Sequence, residues 1–387
     1  MMAAVMTGEL RAAGRARPAW DMWLLSSTIV LLATGVIMVY SASVAYAERE
    51  MNNSAYFLVR HASYTMLGLV FMAFTMRTRV RWWEKAGPTL LLLGLVGLAV
   101  VLLPGIGANI NGSTRWLRLG IFNVQPSEFM KLFTVVYVAG YLVRKQETLR
   151  NFTQGIVMVS LVVAVIGALL LMEPDMGSLV VITVTVFAML FLGGVHFWHF
   201  MLVLGVGIGS MVLLTIISPY RMARATSFMD PFADPFNTGF QLVQALIAFG
   251  RGEWLGVGLG ASVQKLFYLP AAHTDFVFAV MAEELGLIAV LGMLALFGII
   301  LLRAFAIARQ AEAAGQIYGA RLAQGIGLLL GGQGMINMGV NMGLLPTKGL
   351  TLPFVSYGGS SMLVSCIAMG LLLLIGREAR GGNWGKS

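Results

Sequence analysis

Residues 275–302 read DFVFAVMAEELGLIAVLGMLALFGIILL. Three carboxylates, Asp275, Glu283 and Glu284, fall in the first ten positions, and no further charge follows until Arg303. An uncharged apolar run of this length is what a helix needs to cross about 30 Å of hydrocarbon. Comparable runs recur on both sides of it. Working outward, spans are expected near 22–44, 62–76, 88–104, 126–143, 155–172, 178–195, 198–218, 321–343 and 353–376.

Composition agrees. Of 387 residues, 58% are hydrophobic and 11% charged, with a mean hydropathy of +0.83. A soluble domain carries about a quarter charged residues, so a soluble enzyme is excluded. The expected fold is all-α: a polytopic membrane protein of about ten transmembrane helices. A long outer loop, 219–274, separates spans seven and eight. The first span follows Arg11, Arg15 and Arg17, and Ala45-Tyr46-Ala47 resembles a cleavage site. The apolar stretch from Trp23 to Tyr40 is longer than a secretory h-region, so it reads as a retained span.

Charge sets the orientation. With the N-terminus inside, 16 of the 26 Lys and Arg residues fall on the cytoplasmic side, as the positive-inside bias requires. The chain therefore divides into a cytoplasmic tail 1–21, a membrane domain 22–376 and a cytoplasmic tail 377–387. The net charge of +9 is scattered between spans, which favours topology and anionic lipid over nucleic acid. The lone Cys366 excludes an intrachain disulfide, and four dispersed histidines (61, 196, 199, 273) suggest no shared metal. Gly256-Val257-Gly258-Leu259-Gly260 has no strand before it and carries no nucleotide signal. Segment 105–125 reads as a polar, glycine-rich outer loop. The 219–274 loop contains an amphipathic run from Phe240 to Phe249.

Charges at or inside span ends are the informative ones, because hydrocarbon penalises them. Asp275 opens the eighth span, where a carboxylate also simply complements the helix dipole. At 100° per residue Glu283 lies some 80° round from Asp275 and Glu284 on the opposite side, so Glu283 is the better companion. A buried ion pair is the plain alternative for both glutamates. Pro126 suits a first helical turn, and Glu128 and Lys131, three apart, can pair. Arg115 and Arg118 flank Trp116; they read as interfacial anchors or as a clamp on an anionic headgroup. Lys348 is a solitary charge in a glycine- and proline-rich turn. Glu173-Pro174-Asp175 is a short outer turn. The outer-face set is thus Arg115, Arg118, Lys131, Lys265 and Lys348, with Asp275 and Glu128. Such a set suits a reaction driven by a lipid diphosphate: cations stabilise the departing phosphates while a carboxylate takes a proton from an attacking hydroxyl.

Several motifs strengthen this reading. The run NMGLLPTKGLTLPFVSYGGSS at 341–361 resembles the signature of the shape, elongation, division and sporulation family. So do GSTRW at 112–116 with QPSE at 125–128, and HTDF at 273–276 with the following Glu283-Glu284. The match runs in order over about residues 20 to 378. TKGLT at 347–351, MDPFADP at 229–235 and AFGRGEW at 248–254 look like the division branch rather than the elongation branch.

The resemblance implies a ten-span peptidoglycan glycosyltransferase that polymerises lipid II at the division septum. It implies a class B penicillin-binding protein as transpeptidase partner, with FtsQ, FtsL and FtsB alongside, in the bacterial inner membrane. Asp275 matches the family's essential loop aspartate, the base for the acceptor 4-hydroxyl. Substrate contacts are implied for Arg115, Trp116, Glu128, Lys131, Lys265, Lys348 and Ser356, with support from Glu283, Asp175 and His273. No cofactor is firmly implied, although a divalent cation, magnesium or manganese, would suit the diphosphate. The alternatives are a lipid II flippase or other transporter, an elongation-type polymerase, or a scaffold that only recruits the transpeptidase. A transporter should show midplane charges, broken helices in matching halves, or an internal repeat. Glu283 and Glu284 keep that alternative open, although no repeat is found.

Overall fold

A computed structural model describes residues 20–110, 113–119, 122–218, 222, 226–237, 239–347 and 349–381. Lys348, Gly112, Arg221, Arg224, the N-terminal Arg11, Arg15 and Arg17, and Lys386 lie outside the described residues. Among those described, ten helices of fifteen residues or more follow one another, and each expected span falls on one of them. They are α1 (Met22–Met51), α2 (Tyr56–Thr75), α3 (Val80–Val101), α4 (Pro126–Arg144) and α5 (Met158–Met172). A thirteen-residue helix, α8 (Phe240–Gly252), interrupts the rest: α6 (Met176–Leu192), α7 (Phe197–Ile217), α9 (Val277–Ala313), α10 (Ile317–Asn341) and α11 (Gly359–Gly381). Seven helices are long and apolar enough by themselves to cross a membrane: α1, α2, α3, α5 with its lead-in turn, α7, α9 and α11. The protein is a membrane protein. Of the others, α6 is short, α4 carries the buried Glu128 and Lys131, and α10 carries the buried Gln333, Asn337 and Asn341.

Local chemistry explains the helix ends. Asp21 accepts from Leu24 N at 3.3 Å and so caps α1. Pro126 opens α4, where a missing N–H costs nothing. Asp175 caps α6 by accepting from Ser178 N at 3.1 Å. The amphipathic run in the long loop becomes α8, with Leu242, Val243, Ala245 and Ala248 turned inward. Inside the bundle α11 is buried over most of its length, while the apolar stretch of α7 is not buried at all. At the end of the bundle away from Asp275, Arg303 and Arg380 both reach Asp21, at 2.5 and 2.9 Å.

A sheet and a helix break, together with one shifted helix end, differ from the sequence expectation. Segment 105–125 is not a plain polar loop. It holds a three-stranded antiparallel sheet, β1 (Gly107–Ile110), β2 (Ser113–Leu119) and β3 (Phe122–Val124), ordered β1-β2-β3. Leu117 is paired with Gly107 on one side and Val124 on the other. The Gln125 N–H after β3 donates to Ser360 Oγ at 2.9 Å and ties the sheet to the start of α11. In addition, α11 runs to Gly381, beyond the boundary at 376.

The second feature is a break in α9 at Gly286, where φ is 72° and ψ −171°. The opened backbone pairs with the segment after α8. Val257 and Gly258 donate to the carbonyls of Glu283 and Glu284 at 2.9 and 3.1 Å. In return, Leu287 and Ile288 donate to the carbonyls of Glu253 and Trp254 at 2.9 and 3.3 Å. A broken helix at membrane depth needs its freed groups satisfied in this way. Glycine is required on both sides: a Cβ at Gly286 would lie 2.4 Å from Gly256 N, and one at Gly256 would lie 2.1 Å from Glu284 O.

Candidate active site

The site forms at one end of the bundle, where β2, the turn 173–175, the residues before α9 and the segment 349–356 converge. Asp275 lies two residues ahead of α9 and is partly buried. Its main-chain carbonyl accepts from Asn337 Nδ2 and Asn341 Nδ2, both at 3.0 Å. Backbone closes over its carboxylate, so that a Cβ on Gly349 would stand 3.1 Å from Oδ2. Among the described residues nothing hydrogen-bonds to that carboxylate, so its oxygens keep their capacity to accept. Burial pushes Asp275 up to about 6; Arg115 pulls it down, and Asp175 and Glu128 push it further up.

These electrostatic neighbours are residues the sequence had singled out. Arg115 projects from β2 and donates through Nε to Glu173 O at 3.1 Å and through Nη2 to Pro174 O. Its Nη1 lies 4.0 Å from Asp175 Oδ1. Asp175 in turn accepts from Ser127 Oγ and Ser178 Oγ, both at 2.8 Å. The Glu128–Lys131 pair forms as the spacing predicted, at 2.8 Å and buried. Lys131 also donates to Gln333 Oε1 at 2.9 Å. Glu173 is buried beside Asp175, and burial chiefly pushes its carboxyl up to about 8.

Other expected members are placed elsewhere. On β2 the pairing with β1 slips at Arg115, between Thr114 and Trp116, and among the described residues no hydrogen bond joins Trp116 or Arg118 to Arg115 or Asp275. Lys265 is not beside Asp275: its ammonium is buried against Glu284 Oε1 at 2.7 Å, Ser41 Oγ at 3.0 Å and Gly260 O at 2.7 Å. Glu283 does not share the face of Asp275 either. It accepts from Arg251 Nη1 at 2.9 Å, Ser262 Oγ at 2.5 Å and Val263 N at 3.1 Å. The plain alternative for both glutamates, a buried ion pair, is what forms. Ser356 is buried and accepts from Leu352 N at 2.8 Å, which closes its own turn. The His273 ring packs with Tyr46, Phe57 and Tyr357, with centroids 4.6–5.7 Å apart. Burial lowers this imidazole to about 4 and keeps it neutral. Lys348 is outside the described residues.

The residues that sequence reading passed over are Gln333, Asn337 and Asn341. Their signal was present: three amides four residues apart in an otherwise apolar stretch.

No group of three or more His, Cys, Asp or Glu among the described residues could hold a metal ion. Glu128 and Asp175 are already engaged by Lys131 and by two serines, so no ready-made cage exists beside Asp275.

Comparison with known proteins agrees with this geometry. The sequence profile of the family described as "Cell cycle protein" (FtsW, RodA, SpoVE) matches residues 22–381. The probable peptidoglycan glycosyltransferase FtsW of Nitrosococcus halophilus is 52% identical over 370 residues, 96% of this chain and 95% of that protein. Its counterpart in Coxiella burnetii is 48% identical, covering 93% of this chain and 96% of that protein. Among solved structures, "Structural coordination of polymerization and crosslinking by a peptidoglycan synthase complex" contains a chain 30% identical with a TM-score of 0.74. The match covers 93% of this chain and 98% of that one. The rod shape determining protein RodA of Thermus thermophilus is 27% identical with a TM-score of 0.67, covering 93% and 97%. On residues 22–381 and these relatives, the chain belongs to the cell cycle protein family of FtsW, RodA and SpoVE, the shape, elongation, division and sporulation family.

Proposed function

We propose that this membrane protein is a peptidoglycan glycosyltransferase that polymerises lipid II, with Asp275 as the base. The observation that carries the assignment is the Asp275 carboxylate, partly buried, open, and tuned to about 6 beside Arg115. A base with a pKa near the working pH is ionised yet still takes up a proton readily. The acceptor 4-hydroxyl oxygen attacks the anomeric carbon of the donor, and the bond from that carbon to the diphosphate oxygen breaks. The hydroxyl proton passes to Asp275 and the electron pair leaves with the diphosphate. Arg115 is the described cation whose charge acts on this carboxylate, and it stabilises the charge that develops on the leaving group. Lys131, sealed behind Glu128 and Gln333, sets the field from deeper in the bundle. A magnesium or manganese ion would depend mainly on the substrate's own phosphate oxygens, and no step is assigned to it.

Relatives at about 50% identity named FtsW favour the division branch over the elongation branch. A synthase complex that joins polymerization to crosslinking is the solved structure with the highest TM-score quoted above, and it supports a class B penicillin-binding protein as partner. FtsQ, FtsL and FtsB belong to the same reading. The distribution of Lys and Arg supports an inner-membrane protein at the septum with both tails, 1–21 and 377–387, in the cytoplasm. The 219–274 segment of the 22–376 membrane domain then lies outside, on the side of Asp275. The transporter alternative loses support on two counts: Glu283 and Glu284 are each paired with a cation, and the break in α9 at Gly286 is closed by its backbone pairing with residues 253–258.

The test is lipid II polymerisation by the purified protein with its cognate transpeptidase, beside Asp275→Ala. Glycan from the wild type, and none from a variant that folds and keeps its partner, is the expected result. Polymer from Asp275→Ala, or lipid II crossing proteoliposomes without polymer, overturns it.

A further inference from the structure

α10 carries three amides on one face, at Gln333, Asn337 and Asn341, and they are 4%, 1% and 0% exposed. Buried amides in a membrane helix are costly unless paired, so their partners show their use. Gln333 accepts from Lys131 Nζ and donates to Thr351 O, both at 2.9 Å. Asn337 donates to Leu350 O at 2.5 Å and to Asp275 O at 3.0 Å. Asn341 donates to Asp275 O at 3.0 Å and to Asn337 O at 2.9 Å. Its own oxygen accepts from Ala279 N, in the first turn of α9, at 3.2 Å. Ala279 N also donates to the main-chain carbonyl of Phe276 at 3.0 Å, so the Asn341 oxygen shares this donor.

Apart from one bond between the two asparagines, these contacts reach three elements: the lysine of α4, the backbone just after Lys348, and the backbone bearing Asp275. From Gln333 to Asn341 the helix rises about 12 Å. A rigid helix thus spaces the deep cation from the carboxylate at the mouth.

We propose that Gln333, Asn337 and Asn341 are positioning residues for the glycan-forming reaction. They fix the main chain of Asp275 and of 350–351 relative to Lys131, and so set where the Asp275 carboxylate meets the acceptor hydroxyl. This rests on the reading of Asp275 as the base. None of the three bonds to the carboxylate itself; they act through the backbone that carries it.

A displaced base slows the chemical step more than it weakens substrate binding. Asn337→Ala and Asn341→Ala, assayed with the transpeptidase, are expected to lower kcat by about 10- to 100-fold while KM for lipid II moves less than about twofold. The acid limb of the rate profile should shift with them, because the surroundings of Asp275 change. If an alanine variant fails to fold, Asn341→Asp replaces it: this isostere keeps the acceptor for Ala279 N and loses the donor to Asp275 O. Its kcat, read where Asp275 is ionised in both proteins, is expected to fall similarly.

Wild-type kcat with an unshifted profile overturns the proposal. So does a loss confined to KM, or unfolding of every variant, which would make the stripe a requirement of the fold alone. Asp275→Ala is measured in parallel. If it still polymerises, the base assignment fails; if it is dead while Asn337→Ala and Asn341→Ala are fully active, only the positioning role fails.

Discussion

Lys265 Nζ meets Glu284 Oε1 at 2.7 Å with both side chains buried, one from the long loop and the other from the broken part of α9. Ser41 of α1 completes the knot by donating to Glu284 at 2.7 Å and accepting from Lys265 at 3.0 Å. A buried pair contributes little over an apolar replacement, but removing one partner strands a charge and costs about 3–5 kcal/mol. Lys265→Met alone should therefore lower the unfolding midpoint sharply, and Lys265→Met with Glu284→Leu should recover most of the loss. The recovered double variant is expected to polymerise lipid II. A folded but inactive double variant would return Lys265 to the substrate.

The break at Gly286 predicts a contrast between two glycines of the same helix. At φ 72° and ψ −171° a side chain costs about 1–3 kcal/mol from backbone strain alone, and its Cβ would also strike Gly256 N. Gly292 has open space around its Cβ position. Gly286→Ala should lower the unfolding midpoint and the yield of folded protein, whereas Gly292→Ala should be neutral or raise stability by up to about 1 kcal/mol. Equal behaviour of the two would mean that α9 closes into a continuous helix.

These contrasts show where the sequence was readable. Apolar runs show where the long described helices lie, seven of them long and apolar enough to cross a membrane, and Pro126, Glu128 and Lys131 state their local geometry through a first-turn proline and a three-residue spacing. The sheet at 107–124 was hidden because its strands are three to seven residues long, too short for alternation to declare itself. Glu283 was misplaced for another reason. Its partners come from residues 251–264, and no helical wheel of α9 can reveal where a distant loop will lie. The amides of α10 were readable as a four-residue repeat, but their meaning depends on Asp275 and Thr351, which only the fold brings to them.

Arg115 on β2 is bonded to the turn 173–175, whereas the turn at 352–356 encloses Ser356. Arg115→Gln removes the described cation whose charge acts on the Asp275 carboxylate and should cost about 10²-fold or more in kcat. Ser356→Ala leaves Leu352 N without its acceptor and should cost about 1–3 kcal/mol of stability, with kcat/KM of the folded enzyme nearly unchanged. Steady-state polymerisation set beside thermal unfolding separates the two classes, and a large loss of kcat in Ser356→Ala would place its hydroxyl on the substrate.

The pH dependence follows from the charges around Asp275. A base must be ionised, so the rate should fall about tenfold per pH unit below the Asp275 midpoint near 6. His273, lowered to about 4, stays neutral across this limb and does not shape it. Asp175 raises the Asp275 pKa and Arg115 lowers it. Asp175→Asn should therefore move the limb to lower pH, and Arg115→Gln should move it to higher pH in whatever activity remains. An inflection near 8 would belong to Glu173 and should vanish in Glu173→Gln. Stability runs the other way from activity. Because its folded pKa is raised, Asp275 binds its proton more tightly folded than unfolded, so stability is lost as pH rises from its ordinary value of 3.8 through 6. Asp275→Asn should thus unfold at a higher temperature than the wild type at about pH 7.5 and at the same temperature near pH 3. A variant less stable at neutral pH would mean that the ionised carboxylate is held by a favourable partner, and the description of Asp275 as an open, desolvated base would fail.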